Sequence, residues 1–69
     1  MTYIYIPYFD NGFHVLRADV ARSRKVSGYW MHCGMIYGPY AYTTEEAAQC
    51  YIDKRYNEAK EYLYEEVTA

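Results

Sequence analysis

Four side chains in the sequence could ligate a metal: His14, His32, Cys33 and Cys50. Metal sites usually space such ligands as Cys-x-x-Cys or as two His three to five residues apart, so that one turn or helix face presents two together. Neither spacing occurs. His32 and Cys33 are adjacent, and neighbours on a strand point to opposite faces, so no metal centre is expected. Each thiol reads as a small buried group and each imidazole as a half-exposed ring. Nucleophilic catalysis needs a Ser or Cys beside a His that an acid orients. Both serines, Ser23 and Ser27, lie in a basic stretch, and the sequence has no glycine-rich phosphate loop or paired-carboxylate motif. No catalytic residue and no cofactor is therefore expected, and the chain reads as non-enzymatic.

Binding chemistry is better supplied. Arg22, Arg24 and Lys25 form a short cationic run suited to phosphates or to an acidic partner. Around it stand eleven Tyr, two Phe and one Trp, the residue types that anchor protein interfaces or stack on unpaired bases. Ile, Leu, Val and Phe together make only 12 of the 69 residues. Such poverty in aliphatics accompanies disorder when net charge is high and aromatics are few; here the net charge is −2, and rings that bury roughly 150–250 Å² each supply a core instead. One small domain, residues 1–69, is the expected organisation.

The charge is unevenly divided. Residues 1–41 carry four cations and two acids, and residues 42–69 three cations and seven acids, giving a basic front and an acidic back. No run of residues approaches the 18–20 apolar positions of a membrane span. The start, Met-Thr-Tyr-Ile-Tyr, lacks a basic region followed by an apolar one. A cytoplasmic chain with two reduced thiols is expected.

The elements that position these groups follow from pattern. Residues 3–9 and 13–20 are rich in aromatic and β-branched types and flank Asp10-Asn11-Gly12, a strong hairpin signal because Asn and Gly tolerate positive φ. A three-residue loop pairs Phe9 with Phe13 and gathers Ile4, Ile6, Tyr8, His14, Leu16 and Ala18 on one face. A two-residue loop would split the aliphatics between faces, so the bulged form is preferred. Pro7 cannot donate to a ladder and either puts the first strand at an edge or gives it a bulge there. Residues 21–28 read as a polar loop, and residues 29–37 as a third strand with a bend at Gly34; Tyr40–Tyr42 is either a short extra strand or the lead into a helix.

Thr43-Thr44-Glu45-Glu46 opens that helix with a capping hydroxyl and two acids opposite the dipole. Ala48, Ile52, Tyr56, Ala59, Leu63 and Val67 recur at spacings of three and four, which predicts one continuous helix to about residue 67. The expected fold is therefore α+β, a three-stranded antiparallel meander packed on one long C-terminal helix. With the helix covering the aliphatic face, Tyr3, Tyr5, Phe9, Phe13, Val15 and Arg17 point the other way, joined by Trp30 and His32 from the third strand. These rings either fold over one another or form a platform larger than a monomer exposes without a partner. The expected partner-binding residues are Tyr3, Tyr5, Phe13, Arg17, Arg22, Arg24, Lys25, Trp30 and His32, with a core position as the competing reading for Trp30.

The order of three strands and a helix, with Tyr42-Thr43-Thr44-Glu45-Glu46-Ala47-Ala48 and Tyr51 opening the helix, resembles the plant ethylene-response-factor (Apetala-type) DNA-binding domain. It also resembles the related arm-binding domain of tyrosine recombinases. That resemblance implies strands that read the major groove with a helix packed behind them. The strands of this chain offer only Trp30 and Arg17 of the Arg and Trp that such readers use. By size and composition the chain also resembles the small accessory proteins of phages and mobile elements, anti-CRISPR inhibitors among them, which implies a host protein as partner. A dedicated DNA binder is basic across the domain, whereas this chain has a pI near 5.5. A host protein bound through the aromatic sheet face, the acidic face of the helix or both is therefore the first expectation, a nucleic acid bound through residues 22–25 and the sheet the alternative, and a homodimer through the aromatic face a third outcome.

Overall fold

In the computed structural model, residues 2–65 are described. Strands β1 (Tyr3–Phe9) and β2 (Phe13–Asp19) pair antiparallel with Phe9 opposite Phe13, Ile6 opposite Leu16 and Ile4 opposite Ala18. That is the register expected from the faces. Asn11 (φ 56°) and Gly12 (φ 134°) turn the chain, and the Asp10 N–H donates to the Gly12 carbonyl at 2.9 Å. Pro7 sits mid-strand without cost to the ribbon. Tyr5 turns both its N–H and its carbonyl away from β2, toward Tyr42, so Pro7, two residues on, faces its missing N–H to that same outer side.

After a 3₁₀ turn at Val20–Arg22, capped by the Asp19 carboxylate accepting from the Ala21 N–H at 2.9 Å, the chain builds a second sheet. Its strands are β3 (Ser23–Val26), β4 (Tyr29–His32) and β5 (Met35–Ile36), in that order and antiparallel. The basic run expected to be a loop is thus an edge strand, and the expected third strand is two short ones. Two-residue turns cause both departures. Ser27 and Gly28 have φ 53° and 85°, and Cys33 and Gly34 have φ 51° and 84°, the paired positive values of the tight turn that matches strand twist. Beyond β5, the Tyr37 N–H donates to the Trp30 carbonyl while the Trp30 N–H donates to Gly38. Two residues facing one make a bulge, and it directs the chain back to β1. There the backbone of Gly38 lies so close to Pro7 that a Cβ on it would stand 2.3 Å from the Pro7 carbonyl oxygen.

The expected long helix over residues 43–67 does not form, and with it the architecture of one meander on one helix is overturned. Helix α1 runs Glu45–Ile52, capped by Thr44, whose hydroxyl accepts from the Ala47 N–H at 3.1 Å. It ends in a Schellman motif: Arg55 N–H reaches the Cys50 carbonyl at 2.7 Å and Lys54 N–H the Tyr51 carbonyl at 3.1 Å, with Lys54 left-handed at φ 63°. The Gly usual at that position is absent, so the stop carries no sequence signature. Helix α2 (Tyr56–Ala59) and a 3₁₀ turn (Lys60–Tyr62) follow. The chain then returns in extended form beside residues 41–43, with Thr43 N–H donating to Tyr62 and Tyr64 N–H to Ala41, both at 2.8 Å. Val67, the last residue of the expected stripe, lies outside the described residues.

The molecule is α+β, and its β1–β2 ribbon is covered on both faces. Ile4, Ile6 and Ala18 meet Trp30 and Ala41, with Leu16, Val20, Tyr37 and Tyr64 at the margin. The opposite face meets the helices, where Tyr42, Ala47, Ala48 and Ala59 are buried and Tyr5, Val15, Tyr51 and Leu63 pack against them. The second sheet thus takes the aliphatic face assigned to a helix, and the helices take the centre of the face expected to be open. Among the described residues no helix is long and apolar enough to cross a membrane.

Candidate functional site

The two-sided covering disperses the residues expected to form one binding platform. Trp30 is 1% exposed and belongs to the core beneath the second sheet, because strand alternation that turns Tyr29 and Met31 outward turns Trp30 in. Tyr5 is half-buried under the helices, its backbone paired with Tyr42 at 2.8 Å in both directions. Tyr3 and Arg17 remain at one end of the ribbon, the guanidinium carbon 4.8 Å from the Tyr3 ring centroid, a cation–π stack. Phe13 stands at the other end, packed edge-on to Phe9 at 5.2 Å. Strand geometry of about 3.3 Å per residue puts those ends roughly 20 Å apart.

Arg24 and Lys25 lie on the second sheet, and Arg22 closes the 3₁₀ turn that leads into it. Arg22 and Arg24 line a shallow cleft with Ser23, Met31 and Cys33, and Lys25 stands opposite Trp30 in β3. His32 is half-buried opposite Ser23, with its Nε2 3.7 Å from the Cys33 sulfur. These neighbours were expected on opposite faces; they meet because Cys33 occupies a turn rather than a strand. Both cysteines are free thiols. Among the described residues no three His, Cys, Asp or Glu side chains are grouped to hold a metal ion.

What the fold does gather is a strip of aromatic rings along the junction of helices and ribbon. Phe9 and Phe13 begin it at the hairpin tip, 67% and 53% exposed. A cleft of about 220 Å³ continues it past Tyr29 and Pro39 to Tyr51. On the far side of Tyr51 a larger cleft of about 420 Å³ is lined by Tyr40, Tyr42, Tyr56, Asn57 and Lys60. Tyr51 is common to both and lies 5.5 Å from Tyr40, 5.4 Å from Tyr56 and 6.4 Å from buried Tyr42, centroid to centroid. Helix α1 presents Tyr51, the Schellman turn swings Tyr56 against it, and the extended pairing of residues 41–43 holds Tyr42 behind.

Burial raises the Tyr42 and Tyr51 phenols above their ordinary titration range, and neighbouring tyrosines reinforce the shift. Both therefore stay neutral hydrogen-bond donors at physiological pH. Among the described residues, Lys60 is the one charged residue lining either cleft. Two carboxylates nearby in sequence, Asp53 and Glu58, are engaged by Arg55 on the solvent side. Rings, phenols and one ammonium can stack, donate hydrogen bonds and attract negative charge.

Sequence reasoning placed Phe13 on this surface and missed Tyr29, Tyr40, Tyr51 and Tyr56. Its available signal was density, four tyrosines between residues 40 and 56, but a continuous helix would have turned Tyr56 onto the sheet. No family model matches this chain, no curated protein is significantly similar to it, and no solved structure matches it.

Proposed function

We propose that the protein is a non-enzymatic binding domain whose partner is another protein, engaged through the aromatic strip. The observation that carries this reading is the continuity of the strip: Phe9, Phe13, Tyr29, Tyr40 and Tyr56 are each exposed by 45% or more and are joined through Tyr51. Soluble monomers rarely leave contiguous apolar patches beyond a few hundred Å² uncovered. Interface cores are enriched in Tyr and Phe and depleted in charge, which matches a surface whose clefts hold a single Lys. Truncating a central ring at such an interface costs about 2 kcal/mol or more of binding.

The likeness in size and composition to small inhibitors of host machinery makes host proteins the first to screen. Capture with the wild-type chain, alongside a Phe13→Ser/Tyr56→Ser variant that keeps the wild-type melting temperature, tests the reading. A stoichiometric protein retained by the wild type and lost by the variant supports it; equal retention by both overturns the choice of surface. The alternative, nucleic acid, draws on the cleft between Arg22 and Arg24. Phosphate contacts there would make affinity fall steeply with salt, so fluorescence anisotropy with duplex and single-stranded oligonucleotides separates the two.

A further inference from the structure

We propose that the cleft in front of Tyr51 is a small-molecule site for a planar aromatic ring carrying one anionic group. The shape supports a ring. Tyr51 lines the cleft with Tyr40 and Tyr56, whose rings lie 5.5 and 5.4 Å from its own and are inclined to it at 54° and 63°, so a flat ligand in the cleft has several aromatic surfaces to meet. Offset and edge-to-face contacts of this kind are the favoured aromatic geometries. The volume, about 420 Å³, falls in the range of roughly 300–1,000 Å³ over which proteins enclose small ligands.

Charge selects the substituent. Three or more tyrosines around a hollow would ordinarily suit an organic cation. Here, among the described residues, the lining carries the Lys60 ammonium and no carboxylate, which repels a cation and attracts an anion. The phenols do not offset that preference, because Tyr42 and Tyr51 are held neutral beyond their usual range. Asn57, three residues before Lys60 and thus on the same side of its helical turn, adds an amide that can donate and accept in the plane of a ring.

The walls are also built in advance. Tyr42 is locked by paired backbone hydrogen bonds to Tyr5 and by the bridge to Leu63, and Tyr51 and Tyr56 are fixed by the helix stop between them, so little ordering is needed on binding. Two sources share the chemistry, a nucleoside monophosphate and an aryl carboxylate. The site shares Tyr40, Tyr51 and Tyr56 with the proposed partner surface but not Phe9 and Phe13, and it is tested on the purified chain alone, so either reading can fail without the other.

Amide chemical shifts of the labelled full chain, titrated with adenosine monophosphate and with 4-hydroxybenzoate, decide. Saturable shifts centred on residues 40, 42, 51, 56, 57 and 60 with either probe are expected. Inorganic phosphate, adenosine and choline should each bind more weakly than the ring that bears the anion. Lys60→Gln, at an exposed position, should weaken the anionic probe by about two- to fivefold, the worth of one exposed ion pair, and leave adenosine unchanged. Tyr56→Ala should weaken both. Response to the nucleotide alone assigns the site to nucleotides, and response to the benzoate alone assigns it to aryl acids. The proposal is overturned if neither anion shifts these residues by about 10 mM, a concentration beyond the weakest specific affinities, if choline binds as well as they do, or if Lys60→Gln leaves the anions unaffected.

Discussion

Replacing Trp30 tests the two-sided core directly, and two substitutions separate its components. The indole is 1% exposed among Ile4, Ile6, Ala18 and Ala41, so Trp30→Ala removes a ring at a cost of about 3–5 kcal/mol. A core in a chain this small rarely supplies more than about 3–5 kcal/mol in total, and the variant should be unfolded at 25 °C. Trp30→Phe behaves differently. It deletes roughly three heavy atoms, worth about 2 kcal/mol at the methylene rate. It also removes an indole N–H that is buried with no acceptor among the described residues, and such an orphan costs about 1–3 kcal/mol while present. The two effects nearly cancel. At about 4–8 °C per kcal/mol for a domain of this size, the melting temperature should stay within about 8 °C of wild type. Thermal melting followed by far-ultraviolet circular dichroism reads both variants without relying on the lost fluorophore. A Trp30→Ala protein that melts within a few degrees of wild type would refute the core placement. A Trp30→Phe protein as damaged as Trp30→Ala would refute the account of the unpaired N–H.

Gly38→Ala should destabilise by about 1–3 kcal/mol or more, the cost of overpacking, because the new Cβ would fall 2.3 Å from the Pro7 carbonyl oxygen; an unchanged urea midpoint would show that the two segments do not pack so closely. Lys54→Gly should raise the melting temperature by a few degrees: relief of a left-handed residue is worth about 1–2 kcal/mol, set against about 0.5–1 kcal/mol of added chain freedom, and a lower melting temperature would refute the Schellman stop. Stability should fall as pH rises above 10. The Tyr42 and Tyr51 phenols titrate higher when folded than when unfolded, so the unfolded chain gives up its protons first and is stabilised relative to the folded one through that window, while below it the contribution is fully present. Denaturant midpoints at pH 8 and above pH 10, with phenolate absorbance at 295 nm, check it; a flat profile would sink the assignment.

The hairpin was legible in the sequence because two independent signals agreed. Asn11-Gly12 demanded a turn, and only one register put Ile4, Ile6, Leu16 and Ala18 together. The second sheet was not legible because its turns, Ser27-Gly28 and Cys33-Gly34, carry Ser and Cys at a left-handed position where Asn or Asp is the familiar cue. Arg24 and Lys25 also looked like loop residues, although charged side chains are common on exposed edge strands. Missing that sheet left one face of the ribbon apparently uncovered, and the expected platform was drawn on the uncovered face. Phe13 survives as a surface residue of the strip because it lies at the end of the ribbon, beyond the helices. Trp30 and Tyr5 do not, because each sits where a covering layer crosses.

The helix stop decides where the candidate site lies. An unbroken helix over residues 43–67 would run roughly 36 Å at 1.5 Å per residue, whereas the molecule measures 30 Å along its longest axis and β1 spans about 23 Å. Its last turns would overhang the ribbon with Ala59 and Leu63 in water. Folding back at Lys54 instead returns both residues to the core that Ala47 and Ala48 occupy, and it pairs the backbone of residues 62–64 with residues 41–43, whose Tyr42 in turn closes the edge of the ribbon at Tyr5. The same reversal takes Tyr56 off the line it would share with Ile52 in a straight helix and sets it edge-on to Tyr51. Ala48, Ala59 and Leu63 of the stripe thus keep their burial, while Tyr56 is given up to the tyrosine cleft that opens at the bend. A sequence pattern that records burial alone reads the same whether the chain runs straight or reverses, so it marks the residues of the core and leaves the cleft unmarked.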